Sequence, residues 1–272
     1  MSHSFLVTDE VSALIDTGCG IELLKKIKKT YSIDIIINSH CHPDHSAGNW
    51  IFESTPVHAP IMGQDSHGRL GPLSLRFFPD KPFAERWRGW IAGTMGFQDK
   101  EPDGYFDDGH IFDFGQLKLQ AIHTPGHTKD HFCFLEPTNG ILLTFDIDFT
   151  PFGPWYGHTE SNLADFRKSL SMMRNLKPKV VASGHNWPIY ENIDESIDNY
   201  SGIIEARSEA IMEMIRRGMT KSDLVKAAPI YGYHPYEPEI LSSFESRMID
   251  LHIEEMLQSG ALSKDGDKLV CA

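Results

Sequence analysis

The stretch INSHCHPDHSAGNW (residues 37–50) concentrates groups that can bind metal ions. It follows an apolar, β-branched run, IDIIINS, which predicts a strand buried on both faces. Imidazole and carboxylate groups are ligands of zinc and similar metals, and α/β proteins often place a site where a loop leaves a strand end. Their spacing here suits two adjacent ions rather than one. The candidate ligands are His40, His42, Asp44 and His45.

The composition of the chain limits the functions that this cluster can have. The chain has 272 residues, of which 40% are hydrophobic and 23% are charged, as in ordinary soluble globular proteins. A formal net charge of −13 disfavours a nucleic acid as the main partner, because such binding usually leaves a basic surface. The four cysteines form no CxxC pair, and we find neither a signal peptide nor an apolar run long enough for a membrane span. We therefore expect a cytoplasmic protein without membrane association.

Three later stretches add candidate ligands, each at the end of a predicted strand. IHTPGHT supplies His127, LLTFDIDF supplies Asp146, and VVASGHNW supplies His185. A lone His or Asp at a strand end is usually a turn or capping residue. Four such stretches in this order are jointly specific for a metal site.

Strands alternate with helices through the first part of the chain, which predicts an α/β protein. We predict a catalytic domain over residues 1–195, with an insertion at about 61–106 that is rich in Gly, Pro and aromatic residues. Residues 196–272 predict three helices and a hairpin around Asp265-Gly266, the outline of a winged helix.

With these stretches in place, residues 4–190 resemble the metallo-beta-lactamase fold superfamily, whose HxHxDH, Gly-His, Asp and Gly-His motifs are all present. The resemblance implies a four-layer αββα sandwich and two divalent ions that share an activated water or hydroxide. It implies that Asp44 also orients this water, and that Asp16 of LIDTG supports the site without binding metal. The implied first metal ligands are His40, His42 and His127, the second are Asp44, His45 and His185, and Asp146 bridges.

One position departs from the family pattern, because Phe145 stands where a Gly usually precedes the bridging Asp. The TPGHTKDH segment and the helical tail resemble the branch with a C-terminal winged helix, which includes endoribonucleases. The resemblance does not decide the metal, and we expect zinc, with iron or manganese as alternatives.

The substrate is harder to infer. Aromatic residues of the insertion and of TPFGPWYGH (150–158) suggest a pocket wall for a small, partly apolar molecule, and Tyr156 is our candidate for contacting its oxyanion or carboxylate. We therefore predict a hydrolase of a small ester, thioester or lactone. A metal-dependent endoribonuclease and an iron-dependent thiol or persulfide dioxygenase are the alternatives. Residues 203–272 hold eight Lys or Arg and twelve Asp or Glu, which counts against RNA binding. The apolar face of the last helix suggests a homodimer.

Overall fold

Two five-stranded sheets face each other at the centre of the molecule, in a computed structural model that describes residues 1–234, 236–266 and 268–272. Sheet 1 runs in chain order from β1 to β5, and its first two strands are antiparallel while the others pair in parallel. Its strands are Phe5–Val7 (β1), Ala13–Ile15 (β2), Ile35–Ile37 (β3), Val57–Pro60 (β4) and Gly104–Phe106 (β5).

Sheet 2 has the strand order β10-β9-β8-β7-β6. Its neighbours are antiparallel except for β9 and β10, which pair in parallel. Its strands are Ile111–Asp113 (β6), Lys118–His123 (β7), Phe132–Glu136 (β8), Ile141–Phe145 (β9) and Val180–Ser183 (β10).

The helices lie in the segments that connect the strands and in the C-terminal part of the chain. They are Ile21–Thr30 (α1), Pro43–Ser46 (α2), Leu70–Phe77 (α3), Lys81–Met95 (α4), Leu163–Asn175 (α5), Ile193–Arg216 (α6), Lys221–Ala227 (α7) and Pro238–Gln258 (α8), with short 3-10 helices at Asn49–Ile51 and Ile61–Gly63. Within the described ranges, none of these helices combines the length and the apolar character needed to cross a bilayer.

The buried apolar residues confirm the predicted α/β sandwich of four layers. One cluster lies between the sheets and joins Ile37 of sheet 1 to Phe134 and Phe145 of sheet 2. A second packs Leu24 of α1 on the outer face of sheet 1, and a third packs Phe166 of α5 on the outer face of sheet 2. Burial of apolar area on three successive interfaces stabilises this arrangement.

The segment 61–106 contains two helices that its weak periodicity did not predict. Asp80 caps α4 by accepting a hydrogen bond from the Phe83 amide, Pro82 stands in the first turn, and Gly96 ends the helix with a left-handed φ of 64°. These are the usual start and stop signals of a helix. The last residues of the segment, β5, belong to sheet 1 rather than to a separate insertion.

The C-terminal part follows the predicted order of three helices and a hairpin, here α6, α7, α8 and the strands Leu262–Asp265 (β11) and Lys268–Cys271 (β12). Ile204 of α6 and Met248 of α8 lie in the same cluster as α5, and Phe244 of α8 packs with α3 and α4. The C-terminal helices thus share cores with the sandwich. Their classification as a winged helix and the boundary near residue 195 stay predictions.

Candidate metal centre

The predicted ligands come from four loops that follow strands of the two sheets. His40, His42, Asp44 and His45 lie in the loop after β3 and in α2. His127 follows β7, Asp146 directly follows β9, and His185 follows β10. The parallel pairing of β9 with β10 brings the ends of these two strands to the same edge of sheet 2.

The structure brings all seven side chains together in two groups that share Asp146. Within each group the potential ligand atoms lie within 4.8 Å of one another. We call them the first ligand group, which consists of His40, His42, His127 and Asp146, and the second ligand group, which consists of Asp44, His45, Asp146 and His185.

The two oxygens of Asp146 divide between the groups. Oδ2 lies 3.0 Å from His127 Nε2 and 3.5 Å from His40 Nε2. Oδ1 lies 2.6 Å from His45 Nε2 and 3.1 Å from His185 Nε2. One carboxylate can therefore contact two cations at once, one through each oxygen.

Hydrogen bonds behind the imidazoles fix their orientation. His45 Nδ1 lies 2.6 Å from Asp16 Oδ2, which also accepts from the Ser39 hydroxyl. His127 Nδ1 donates to the Trp155 carbonyl at 2.9 Å. In both rings the nitrogen that faces Asp146 is therefore Nε2, which can present its lone pair to a metal ion once it is deprotonated. Asp16 thus has the geometry of the supporting residue that the sequence resemblance implied.

Burial and charge shift the pKa values in the cluster. Burial lowers the pKa of His40 well below its usual range and that of His42 to about 4. Burial also disfavours the charged forms of His45 and His185. The carboxylate of Asp146 and its neighbours outweigh the effect of burial and raise the pKa of both residues, that of His185 to about 10. Burial opposes ionisation of Asp146, but the facing His45 keeps its pKa well below the usual range. Metal ions would displace the protons of these basic imidazoles.

The donor set fits two divalent cations. His40 Nε2, His42 Nε2 and His45 Nε2 are buried, and among the described residues none of them makes a hydrogen bond of good geometry, although His45 Nε2 lies 2.6 Å from Asp146 Oδ1. An unsatisfied buried nitrogen costs free energy, and a cation at the centre of each group would satisfy it. Histidine nitrogen with carboxylate oxygen is also the donor mixture that zinc, iron and manganese accept.

A cavity of about 340 Å³ opens onto both ligand groups. Trp87, Trp90 and Met95 of α4 and Phe244 of α8 contribute to its wall. Trp155 lines it as well, with its ring 5.5 Å from that of His42. A mostly apolar cleft with charged groups at one end is the usual form of a small-molecule site.

Tyr156 does not occupy the position expected of a substrate-binding group. Its side chain is fully buried, its hydroxyl contacts His252 at 2.8 Å and Arg207 at 3.1 Å, and the lining of the cavity does not include it. Its neighbour Trp155 faces the cavity instead. We therefore assign Tyr156 a packing and hydrogen-bonding role.

Phe145, the departure from the family pattern, adopts a left-handed φ of 47°, a conformation that favours Gly. Its ring is fully buried between the sheets, 5.5 Å from the ring of Phe134. Apolar burial offsets the backbone strain at this position. With this backbone conformation at Phe145, Asp146 still lies within both ligand groups.

Sequence reasoning missed several contributors to the site. Ser161 donates its hydroxyl hydrogen to the His127 carbonyl, and the next residue, Asn162, caps α5. Phe244 reaches the cavity from the C-terminal helices without any local motif, although its place in the apolar pattern of α8 marked it as buried. Arg207, the buried partner of Tyr156, carried no sequence signal.

Comparison with known proteins agrees with this geometry. Residues 1–185 match the family model of the Metallo-beta-lactamase superfamily. The chain is 26% identical over 202 residues to acyl-coenzyme A thioesterase MBLAC2 from Gallus gallus, a match that covers 66% of this chain and 68% of that protein. It is 22% identical over 258 residues to hydroxyacylglutathione hydrolase from Francisella philomiragia, which covers 85% of this chain and 88% of that protein.

The fold likeness extends over the whole chain. A metallo-beta-lactamase family protein from Thermus thermophilus superposes with a TM-score of 0.75 at 20% sequence identity, covering 100% of this chain and 94% of that one. The C-terminal helices therefore belong to an architecture that is found in another protein.

Proposed function

The chain is a metal-dependent hydrolase of the metallo-beta-lactamase superfamily, and we propose that its substrate is a small ester, thioester or lactone, with an acyl thioester as first choice. The observation that carries the proposal is the apolar cavity of about 340 Å³ that ends at both ligand groups. Such a cavity suits an apolar acyl group whose carbonyl reaches the cluster.

The first and second ligand groups would each hold one divalent ion, with zinc as first choice and iron or manganese as alternatives. Bound there, the ions would polarise the scissile carbonyl and lower the pKa of a water molecule. Asp146 would contribute one carboxylate oxygen to each site, because Oδ2 faces the first ligand group and Oδ1 faces the second.

Asp44 is the proposed positioning group for the attacking water. It lines the cavity, and its Oδ2 lies 3.4 Å from His185 Nε2. Its side chain is 22% exposed, so water from the solvent can reach it. An ionised carboxylate in this place can accept a hydrogen bond from water and orient the oxygen lone pair toward the carbonyl.

The shape of the cavity and the names of two relatives both favour a thioester as the substrate. The wall from α4 and α8 can accommodate an apolar acyl chain, and a thiolate is a good leaving group that needs no strong acid. The two relatives named above are a thioesterase and a hydroxyacylglutathione hydrolase, and an acylglutathione is itself a thioester. Esters and lactones share the same acyl chemistry and remain in the proposed class.

The two alternatives receive less support. An endoribonuclease needs a basic surface for its substrate, whereas the C-terminal part is acidic. A mono-iron dioxygenase needs two His and one Asp, so His45 and His185 of the second ligand group would have no assigned role.

The test is a substrate panel on protein purified without oxygen and reconstituted separately with zinc, iron or manganese. We expect acyl thioesters with an apolar chain to be hydrolysed fastest, with about two ions bound per chain. RNA cleavage with inert thioesters would replace the proposal with the endoribonuclease, and oxygen uptake on addition of a thiol would replace it with the dioxygenase. Asp113→Asn, a surface carboxylate on β6, should leave the rates unchanged.

A further inference from the structure

The Trp155 carbonyl controls the orientation of one predicted ligand of the first group. It accepts the Nδ1 hydrogen of His127 at 2.9 Å, and this bond turns Nε2 toward Asp146. Trp155 lies in the segment 150–156, which follows the bridging Asp146 and contains no helix or strand. A loop carbonyl holds an imidazole in place only if the loop itself is held.

Arg207 of α6 provides that hold from the C-terminal helices. Its side chain is buried, and its guanidinium donates to the carbonyls of Phe152 and Pro154 and to the Tyr156 hydroxyl. These contacts lie on both sides of Trp155 in the sequence. The guanidinium carbon also stands 4.8 Å from the centre of the Phe152 ring. The rigid, forked donor geometry of Arg suits several acceptors at once, which a Lys cannot reproduce.

The hydrogen bonds continue from Tyr156 into α8 with a fixed direction. Because the Tyr156 oxygen accepts from Arg207, its hydrogen is free to be donated to His252 Nε2, 2.8 Å away. His252 Nδ1 then donates to the Ser208 hydroxyl at 2.7 Å, and Ser208 donates to the Ile204 carbonyl. Every member has a defined role, so the chain of bonds ties α6 and α8 to one end of the loop.

A second anchor acts on the side chain of Trp155. Its indole nitrogen donates to the Tyr231 hydroxyl at 2.7 Å. The backbone amides of Ile230 and Tyr231 each donate to Glu245 of α8 at 2.9 Å, and Glu245 is fully buried. The C-terminal helices thus hold both the backbone and the ring of Trp155.

We propose that Arg207 is a positioning residue for the first ligand group, acting through the Trp155 carbonyl and His127. The inference rests on the metal centre of the proposed function and extends it, because it gives the C-terminal helices a role in metal affinity. The second ligand group is held differently, since Asp16 of the loop after β2 orients its His45. Loss of Arg207 therefore weakens metal binding in the first group and leaves the second unchanged.

The test measures metal affinity in two backgrounds of the full chain. His185→Ala leaves the first group intact, and His127→Ala leaves the second group intact. Zn²⁺ or Co²⁺ is titrated into each apoprotein against a competing chelator, with and without Arg207→Gln. We expect Arg207→Gln to weaken binding roughly 10-fold in the His185→Ala background and less than about twofold in the His127→Ala background. The first value lies at the lower end of the roughly 10- to 100-fold cost of losing a ligand's own hydrogen-bond partner, because the Trp155 carbonyl itself remains.

Arg167→Gln is the matched control, because Arg167 of α5 pairs with Glu205 of α6 and Glu255 of α8 without a hydrogen bond to the loop in the described residues. It should leave both affinities unchanged. Tyr231→Phe removes a single hydroxyl and should weaken the first group by a smaller factor, which keeps the inference testable if Arg207→Gln does not fold. Equal losses in both backgrounds, or no loss in either variant, would overturn it. If Arg207→Gln weakened metal binding only in the His185→Ala background, but the wild type hydrolysed no substrate of the panel, the proposed function alone would be rejected.

Discussion

The first and second ligand groups share Asp146 but differ in their surroundings. The side chains of His40 and His127 in the first group are almost fully buried, whereas Asp44 and His185 in the second are 22% and 27% exposed. The first group is supported from α6 and α8 through the Trp155 carbonyl, and the second from sheet 1 through Asp16. An ion bound in the first group would therefore be enclosed by protein, whereas an ion bound in the second would be accessible to solvent.

The cavity wall follows the same division. The rings of Phe77 and Trp155 lie 5.0 and 5.5 Å from that of His42, a member of the first group. Asp44 and His185 line the more exposed end of the cavity. The acyl chain is therefore expected beside the first group, and water is expected to enter beside the second.

Asp146→Asn should have the largest effect, because it removes the one charge that both groups share. We expect hydrolysis to fall by about 10²- to 10³-fold, as when a main electrostatic contributor to catalysis is lost. Metal content measured after dialysis should fall below one ion per chain. A variant with wild-type rates and two retained ions would contradict the bridging role, and Asp165→Asn on the surface of α5 serves as the control.

Comparing His127→Ala with His185→Ala should separate the two groups. Each variant loses a direct ligand, which costs more than the roughly 10- to 100-fold in affinity that an outer partner costs. Because the first group is enclosed, the ion that remains in His185→Ala should exchange with a chelator more slowly than the ion that remains in His127→Ala. Stopped-flow exchange with a colorimetric chelator measures both rates. Equal exchange rates in the two variants, or faster exchange in His185→Ala, would contradict the inferred difference between the two groups.

Much of the candidate metal centre could be predicted because its candidate ligands lie in short local motifs at strand ends. HCHPDH places four candidate ligands within six residues, and Gly or Pro turns accompany His127 and His185. Strands alternating with helices predicted the α/β class, and the four-layer arrangement followed from the family resemblance. Asp16 could be named as a supporting residue only because LIDTG resembles the corresponding segment of the family.

The pocket and the outer supports could not be predicted in the same way. Phe244 and Arg207 reach the site from helices that are distant in the sequence, so their roles depend on how those helices pack. Tyr156 was chosen for its closeness to Asp146 in sequence, but the loop turns its ring into the core and Trp155 toward the cavity. Which of two adjacent aromatic residues faces a site is decided by tertiary contacts.

Phe244→Leu should change selectivity without changing metal content. Phe244 is buried at the cavity, 5.2 Å from the Trp155 ring, and a smaller side chain enlarges the apolar wall beside the first group. We expect kcat/KM to shift about tenfold in favour of bulkier acyl groups, a typical effect for a few methylene-sized contacts. Phe52→Leu, an equally buried change on the outer face of sheet 1, should leave selectivity unchanged. A parallel change in both variants would show that cavity size does not select the acyl group.

His252→Gln should have the smallest effect, and it tests whether the network that supports the first group contributes to acid sensitivity. Burial lowers the pKa of His252 to about 3 from its ordinary value of 6.5. Between these two pH values the unfolded chain binds a proton that the folded protein does not. The contribution of His252 to the free energy of unfolding is therefore complete above about pH 6.5 and falls as pH decreases through this window, with a slope of at most about 1.4 kcal/mol per pH unit from one group.

Glutamine can still accept the Tyr156 hydrogen bond, but it does not titrate. Urea unfolding of the metal-free protein between about pH 7 and pH 4 should therefore show a shallower loss of stability in His252→Gln than in the wild type, since the variant lacks one proton uptake on unfolding. His110→Gln, an exposed histidine, should keep the wild-type slope. If the stability of His252→Gln and that of the wild type fell equally steeply with decreasing pH, His252 would take up its proton in the folded protein. The hydrogen-bond order from Arg207 through Tyr156 and a neutral His252 to Ser208 would then be wrong. A shallower slope in His252→Gln would support that order. The result would not depend on any metal ion, because the protein is unfolded in its metal-free form.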